Sequence, residues 1–314
     1  METIRQILKK DEHARILVCA PSNSAADLLA LRLSVEGRGT VLRLNALSRK
    51  FDSLPELLRP FSIYNDHRVF AMPASAEDLM AYRIVVSTCI TGGVPASLGV
   101  DRGFYTHIFI DEAGQAKEPE VMIPIKGLAS NETNIILAGD PKQLGPIVRS
   151  RVANVLGLST SYLLRLMGRA IYDVDSVPDT PPVGGRGIWY VFLPYSNSRT
   201  VLKLHLDSVV KLVKNFRTHP DILRFSNQHF YHGELQAVGN EGITRSLENW
   251  DELPKKRFPL IFHSIIGKDQ REGSSPSFFN IEEATQVKKY CLLLIDNRKN
   301  HISKQSYLDT IVCF

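Results

Sequence analysis

HIFIDEAGQ, residues 107–115, opens on an apolar run and closes on two adjacent acids, Asp111 and Glu112. A short run with no polar alternation is the signature of a strand buried on both faces, and its charged residues fall where the chain leaves the sheet. The same pattern occurs three more times. ARILVCA (14–20) runs into Pro21-Ser22-Asn23-Ser24 and then the amphipathic AADLLALRL; RIVVSTC spans 83–89, and NIILAGD spans 134–140. Continuous apolar strands separated by helix-compatible segments predict an α/β fold with a parallel sheet flanked by helices. In such folds ligands gather beyond the carboxyl ends of the strands, and all four polar clusters fall at that edge.

Outward from these strands, METIRQILKK places Ile4, Ile7 and Leu8 on one helical face, with Lys9 and Lys10 complementing the negative end of a helix dipole. Residues 40–77 show no sustained periodicity and read as an irregular excursion. Residues 173–200 are rich in Pro, Gly and Ser and read as a linker or an insert. The expected organisation is a first lobe over 1–172, that linker, and a second lobe over 201–314. In the second lobe, His219–Phe230 reads as a Pro-interrupted helical stretch, RFPLIFHSI (257–265) as a strand, and IEEATQVKKYCLLLID (281–296) as a helix. No internal repeat is found.

Bulk properties set limits. The chain has 314 residues, 44% of them hydrophobic, enough for two cores. Apolar runs such as Cys291–Ile295 fall far short of the ~20 residues of a membrane span, and the N-terminus lacks a signal-peptide layout. Cys19, Cys89, Cys291 and Cys313 are widely spaced, which indicates neither a zinc site nor a disulfide framework and fits a reducing compartment. A net charge of +5 suits a nucleic-acid binder, although many other proteins reach that value.

At the mouth of a buried strand, Asp111 would hold Mg²⁺ while Glu112 polarises a water attacking a terminal phosphate. The plainer alternative is a pair of acids charging a helix N-terminus. LAGDPKQLGPIV repeats the layout one strand later. Asp140 ends the strand and Gln143 is able to sense the same phosphate, or the segment is simply a turn of Gly139, Asp140 and Pro141. Arg217, in NFRTHP beyond the linker, offers a cation from a second lobe to charge developing on a transferred phosphoryl group; a lone arginine is more often solvated. Pro21, Ser22, Asn23, Ser87 and Thr88 supply small hydroxyls, amides and backbone N–H groups suited to a nucleic-acid backbone, and Ser22 or Asn23 serves equally well as a helix N-cap. No histidine has metal-ligand spacing, and Phe278 and Phe279 fit packing better than base stacking.

Taken in order, APSNSAAD, STCITGG, IFIDEAGQAKEPE, LAGDPKQLGPIVRS and KLVKNFRTHPDIL resemble the helicase motifs of the up-frameshift-like branch of superfamily one. NQHFYHGELQA and FPLIFHSIIGKDQREGSSPSFFN narrow the resemblance to the Armitage-type RNA helicases, the group of the Moloney leukaemia virus resistance helicase. The resemblance implies two tandem RecA-like lobes of the P-loop NTPase fold, clamping ATP and Mg²⁺ and moving 5′ to 3′ along single-stranded RNA. Asp111 and Glu112 would be the magnesium and water-activating pair, with Asp140 and Gln143 beside the nucleotide and Arg217 the second-lobe arginine. Pro21, Ser22, Asn23, Ser87 and Thr88 match positions that hold RNA. It also implies cytoplasmic work, in ribonucleoprotein granules, with RNA-silencing or mRNA-decay proteins, and no membrane.

The sequence departs from the family pattern in three places. The family's loop ending in Gly-Lys-Thr has no counterpart before ETIRQIL, the late second-lobe motifs do not follow HISKQSYLDTIVCF, and 173–200 matches nothing in the family. Without the loop's lysine and amide cradle, ATP affinity and turnover should fall sharply. The expectation is therefore an inactive fragment of a motor with a truncated second lobe, and the alternative is a non-catalytic RNA-binding or partner-binding remnant.

Overall fold

The computed structural model describes residues 1–169, 172, 189–193, 209–271, 273 and 278–299. Those residues fall into two compact units, one within Met1–Asn215 and Glu234–Gln236, the other within Phe216–Gly233 and Ala237–Phe314.

The first unit runs α1 (Glu2–Lys10), β1 (Ile16–Ala20), α2 (Asn23–Leu33), β2 (Val41–Arg43), α3 (Ala76–Met80), β3 (Ile84–Thr88), α4 (Val94–Ser97), β4 (His107–Ile110), α5 (Glu118–Leu128) and β5 (Asn134–Gly139). It continues through α6 (Arg151–Val155), α7 (Tyr162–Met167), β6 (Trp189–Leu193) and β7 (Val209–Lys211). The sheet order is β2-β3-β1-β4-β5-β6-β7; the first five strands are parallel, and β6 and β7 are added antiparallel. The expected α/β fold, a parallel sheet with flanking helices, is the one observed.

Period-two alternation explains why the strands read as unbroken apolar runs. Leu17 and Cys19 of β1 join Ile108, Ile110 and Leu137 in the core that also holds Val121 and Leu128 of α5. Ile16 and Val18 point the other way, into a core with Ile4 of α1 and Leu29 and Leu33 of α2. Both faces are covered, so both residue parities must be apolar.

The chain passes from β1 to β2 and β3 on one side, then crosses to β4 on the other. Strand order therefore reverses around β1 and β4, the place where open α/β sheets leave a crevice at their carboxyl edge.

Two details of the first unit differ from the sequence reading. Val41–Arg43, inside the expected irregular excursion, is an edge strand paired with β3 over only three residues, too short to show a period. Val209–Lys211, assigned from sequence to the second lobe, groups with the first unit because β6 offers an edge for it. The linker reading of 173–200 lies outside the described residues apart from β6, whose backbone pairs with β5.

In the second unit, α8 is Pro220–Phe230, α9 is Glu241–Thr244 and α10 is Ile281–Lys299; Asp269–Arg271 pairs antiparallel with Phe278–Asn280. Pro220 sits in the first turn of α8, where its missing N–H has no helical partner to lose, so it starts the helix and does not interrupt it. RFPLIFHSI forms no strand; the segment finds no ladder partner among the described residues, and Phe262 is left 92% exposed.

Candidate nucleotide and nucleic-acid site

At the end of β4 the Asp111 N–H donates to the Cys19 carbonyl at 2.8 Å, which holds the acid at the β1–β4 junction. Glu112 then takes φ +52°, a left-handed conformation uncommon for a residue with a side chain. From there the chain folds back on β5. Ala113 N–H donates to the Ala138 carbonyl at 2.8 Å, and Gln115 N–H to the Glu112 carbonyl at 2.9 Å. The close approach of the two strand ends needs glycine on both sides. A Cβ on Gly114 would lie 2.8 Å from the Asp140 carbonyl oxygen, and one on Gly139 would lie 2.7 Å from the Gly114 nitrogen.

This fold-back gathers negative charge. Burial is the largest influence on Asp111 and raises its carboxyl above the usual range, against the pull of the Glu112 N–H, the Met1 ammonium at the start of α1, and Arg32. Glu112 is also raised, first by burial and then by the like charges of Asp111 and Asp140. Asp140 is buried, its Oδ1 accepting from Lys142 N–H at 2.9 Å and its Oδ2 from Gln143 Nε2 at 3.0 Å. Gln143 itself is exposed. The donors are all oxygens, the chemistry of a hard cation. No three acidic, His or Cys groups among the described residues form a closed metal cage. Mg²⁺ does not require one, since it commonly takes one or two carboxylates and completes its shell with water and phosphate.

On the other side of the junction, β1 and β3 end in register, Ala20 beside Thr88. Ser22 caps α2, its Oγ accepting from Ala25 N–H at 3.2 Å. Asn23 is exposed, Pro21 and Thr88 are half-buried, and Ser87 is fully buried, its hydroxyl donating to the Thr88 carbonyl at 3.0 Å. The structure thus brings Pro21, Ser22, Asn23, Ser87 and Thr88 to one sheet edge, the edge that carries Asp111, Glu112, Asp140 and Gln143.

Arg217 belongs to the second unit, exposed and three residues ahead of the start of α8. His219 caps that helix, its Nδ1 accepting from Asp221 N–H at 3.1 Å and its Nε2 facing Glu248 Oε1 at 2.9 Å. Arg245 Nη1 also reaches Glu248 Oε1, at 2.8 Å. The His219 hydrogen bond, with help from Arg245, holds the Glu248 carboxyl below its ordinary range.

Two family models, each described as an AAA domain, match residues 64–151 and 195–312. The chain is 39% identical to the human RNA helicase Mov10l1 over 96% of its own length and 23% of that protein's. It is 41% identical to the zebrafish putative helicase mov-10-B.1 (98% and 28%) and 32% identical to the Drosophila probable RNA helicase armi (91% and 25%). The chain is similar over nearly all of its own length to the Armitage and Mov10 helicases. It spans about a quarter of the length of these relatives.

Within this helicase framework, sequence reading missed one group of residues. Asp27, Arg43, Asn45 and Arg49 form a connected polar network under the start of α2. The available signals were Asp27 amid the apolar residues of AADLL, and Arg43 between Leu42 and Leu44. The Glu248 partner of His219 left no sequence signal, since 29 residues separate the two.

Proposed function

We propose that this chain is the core of an ATP-dependent RNA helicase, in which RNA-stimulated ATP hydrolysis drives 5′-to-3′ movement on single-stranded RNA. The observation that carries this reading is the fold-back of β4 on β5, which sets Asp111, Glu112 and the Asp140–Gln143 pair together at the carboxyl edge. Asp111 would hold Mg²⁺, whose chemistry, when bound to ATP, is to neutralise charge on the transferring phosphoryl group. Glu112 accepts the proton of the attacking water, and its raised pKa makes it a better base than an ordinary glutamate. Gln143 presents its carboxamide to that water or to the terminal phosphate. Arg217 is the second unit's contribution to the phosphoryl charge. Pro21, Ser22, Asn23, Ser87 and Thr88 line the path of the RNA backbone, Ser87 from a buried position.

By resemblance to its family, the protein works in RNA silencing or mRNA turnover, in cytoplasmic ribonucleoprotein granules. No described helix is long and apolar enough to cross a membrane. The test is ATP hydrolysis with and without single-stranded RNA, on this chain and on a longer chain carrying a Gly-Lys-Thr loop ahead of α1. RNA should stimulate turnover of the longer chain, and Glu112→Gln should reduce it by about 10²–10⁴-fold with RNA binding intact. Turnover indifferent to Glu112→Gln would contradict the assignment.

A further inference from the structure

Arg43 ends β2 with 0% of its surface exposed, so each guanidinium nitrogen must find an acceptor inside the protein. Its Nε donates to Asp27 Oδ1 at 2.9 Å, and its Nη1 to the Leu44 carbonyl at 2.7 Å. Asp27 is shared, because Arg49 Nη1 and Nη2 reach its Oδ1 and Oδ2 at 2.9 and 2.6 Å. Two guanidiniums against one carboxylate leave a surplus positive charge, and the third nitrogen of Arg43 must use a neutral acceptor. That acceptor is Asn23 Oδ1, at 3.0 Å from Nη2.

This contact fixes which way the carboxamide points. Arginine carries donors only, so the Asn23 oxygen is the atom that turns inward, and its NH₂ is left at the exposed surface. No described residue accepts from that NH₂. It stands in the first turn of an eleven-residue helix, above a buried surplus of positive charge and at the sheet edge it shares with Thr88. Each of these features favours an anionic oxygen.

We infer that Arg43 is a positioning residue for RNA: without touching the nucleic acid, it aims the Asn23 amide so that its NH₂ donates to a phosphodiester oxygen. This rests on the RNA-helicase reading. The plainer role, tying β2 to α2, requires the contacts to Asp27 but not the one to Asn23.

The test is a double-mutant cycle of Asn23→Ala and Arg43→Lys, read as the affinity of a fluorescein-labelled oligouridylate, with thermal melts to check folding. Lysine keeps the charge against Asp27 but is unable to reach Asn23 as well. Each single substitution should weaken binding roughly tenfold, and the double variant should bind no worse than the weaker single. Additive losses, or an Asn23→Ala chain that binds normally, would overturn the inference and leave the helicase reading standing. Failure of the unsubstituted chain to bind oligouridylate would overturn both. Should Arg43→Lys not fold, the side-chain amide resonances of Asn23 in the unsubstituted chain decide the matter. They should be distinct and shift on addition of oligouridylate, and averaged or unmoved signals would refute the assignment.

Discussion

Asp111 and Glu112 occupy a position that folding alone would not choose for them. Burial disfavours the ionised form of each, and Glu112 also holds a left-handed backbone conformation. For an acid whose folded pKa lies above its unfolded value, the penalty is absent below the unfolded pKa, about 4 for aspartate, and complete above the folded one. Stability of the first unit therefore falls as pH rises through that window. Asp111→Asn, which keeps the acceptor for the Glu112 N–H, should raise the melting temperature at pH 7 in magnesium-free buffer by about 2 °C or more. The advantage should shrink as the pH is lowered towards 4. An asparagine variant that melts lower at pH 7, or gains equally at both values, would show that burial of the charge is not the governing effect. These acids were legible in the sequence because a polar pair ending an apolar strand stands out in one dimension. Arg43 was harder to read: its place between Leu42 and Leu44 hinted at burial, but an isolated arginine normally reads as solvated, and its side-chain acceptors Asp27 and Asn23 lie far away in sequence.

At the scale of elements, the ends of β4 and β5 are held by backbone contact, and Gly139 is the residue that permits it. Gly139→Ala would place a methyl 2.7 Å from the Gly114 nitrogen and 3.0 Å from that of Ala113, where no flexible side chain is available to give way. Urea unfolding of this variant should show a loss of about 1–3 kcal/mol, with ATP turnover falling further than stability does, because Glu112 moves with the strand end. Unchanged stability and turnover would mean that the close approach is not needed. The strands β1, β3, β4 and β5 could be read directly because burial on both faces removes polar residues from their interiors. The three-residue β2 left no such trace. RFPLIFHSI left a false one, since apolar composition specifies a strand only where a neighbouring strand supplies the ladder.

For the whole molecule, the order of the motifs led the sequence to be divided into two lobes, and composition placed the division near 173–200. The chain changes unit after Asn215, beyond the Pro- and Gly-rich stretch that composition marks. The proposed function assigns the acids to the first unit and Arg217 to the second. Strand displacement tests this directly, on the longer chain carrying a Gly-Lys-Thr loop, with an RNA duplex bearing a single-stranded overhang. The account predicts ATP-dependent unwinding from a 5′ overhang and not from a 3′ overhang. Arg217→Ala should still bind the RNA while unwinding falls by about 10³-fold or more. Unwinding that proceeds without ATP, or that survives Arg217→Ala undiminished, would contradict it.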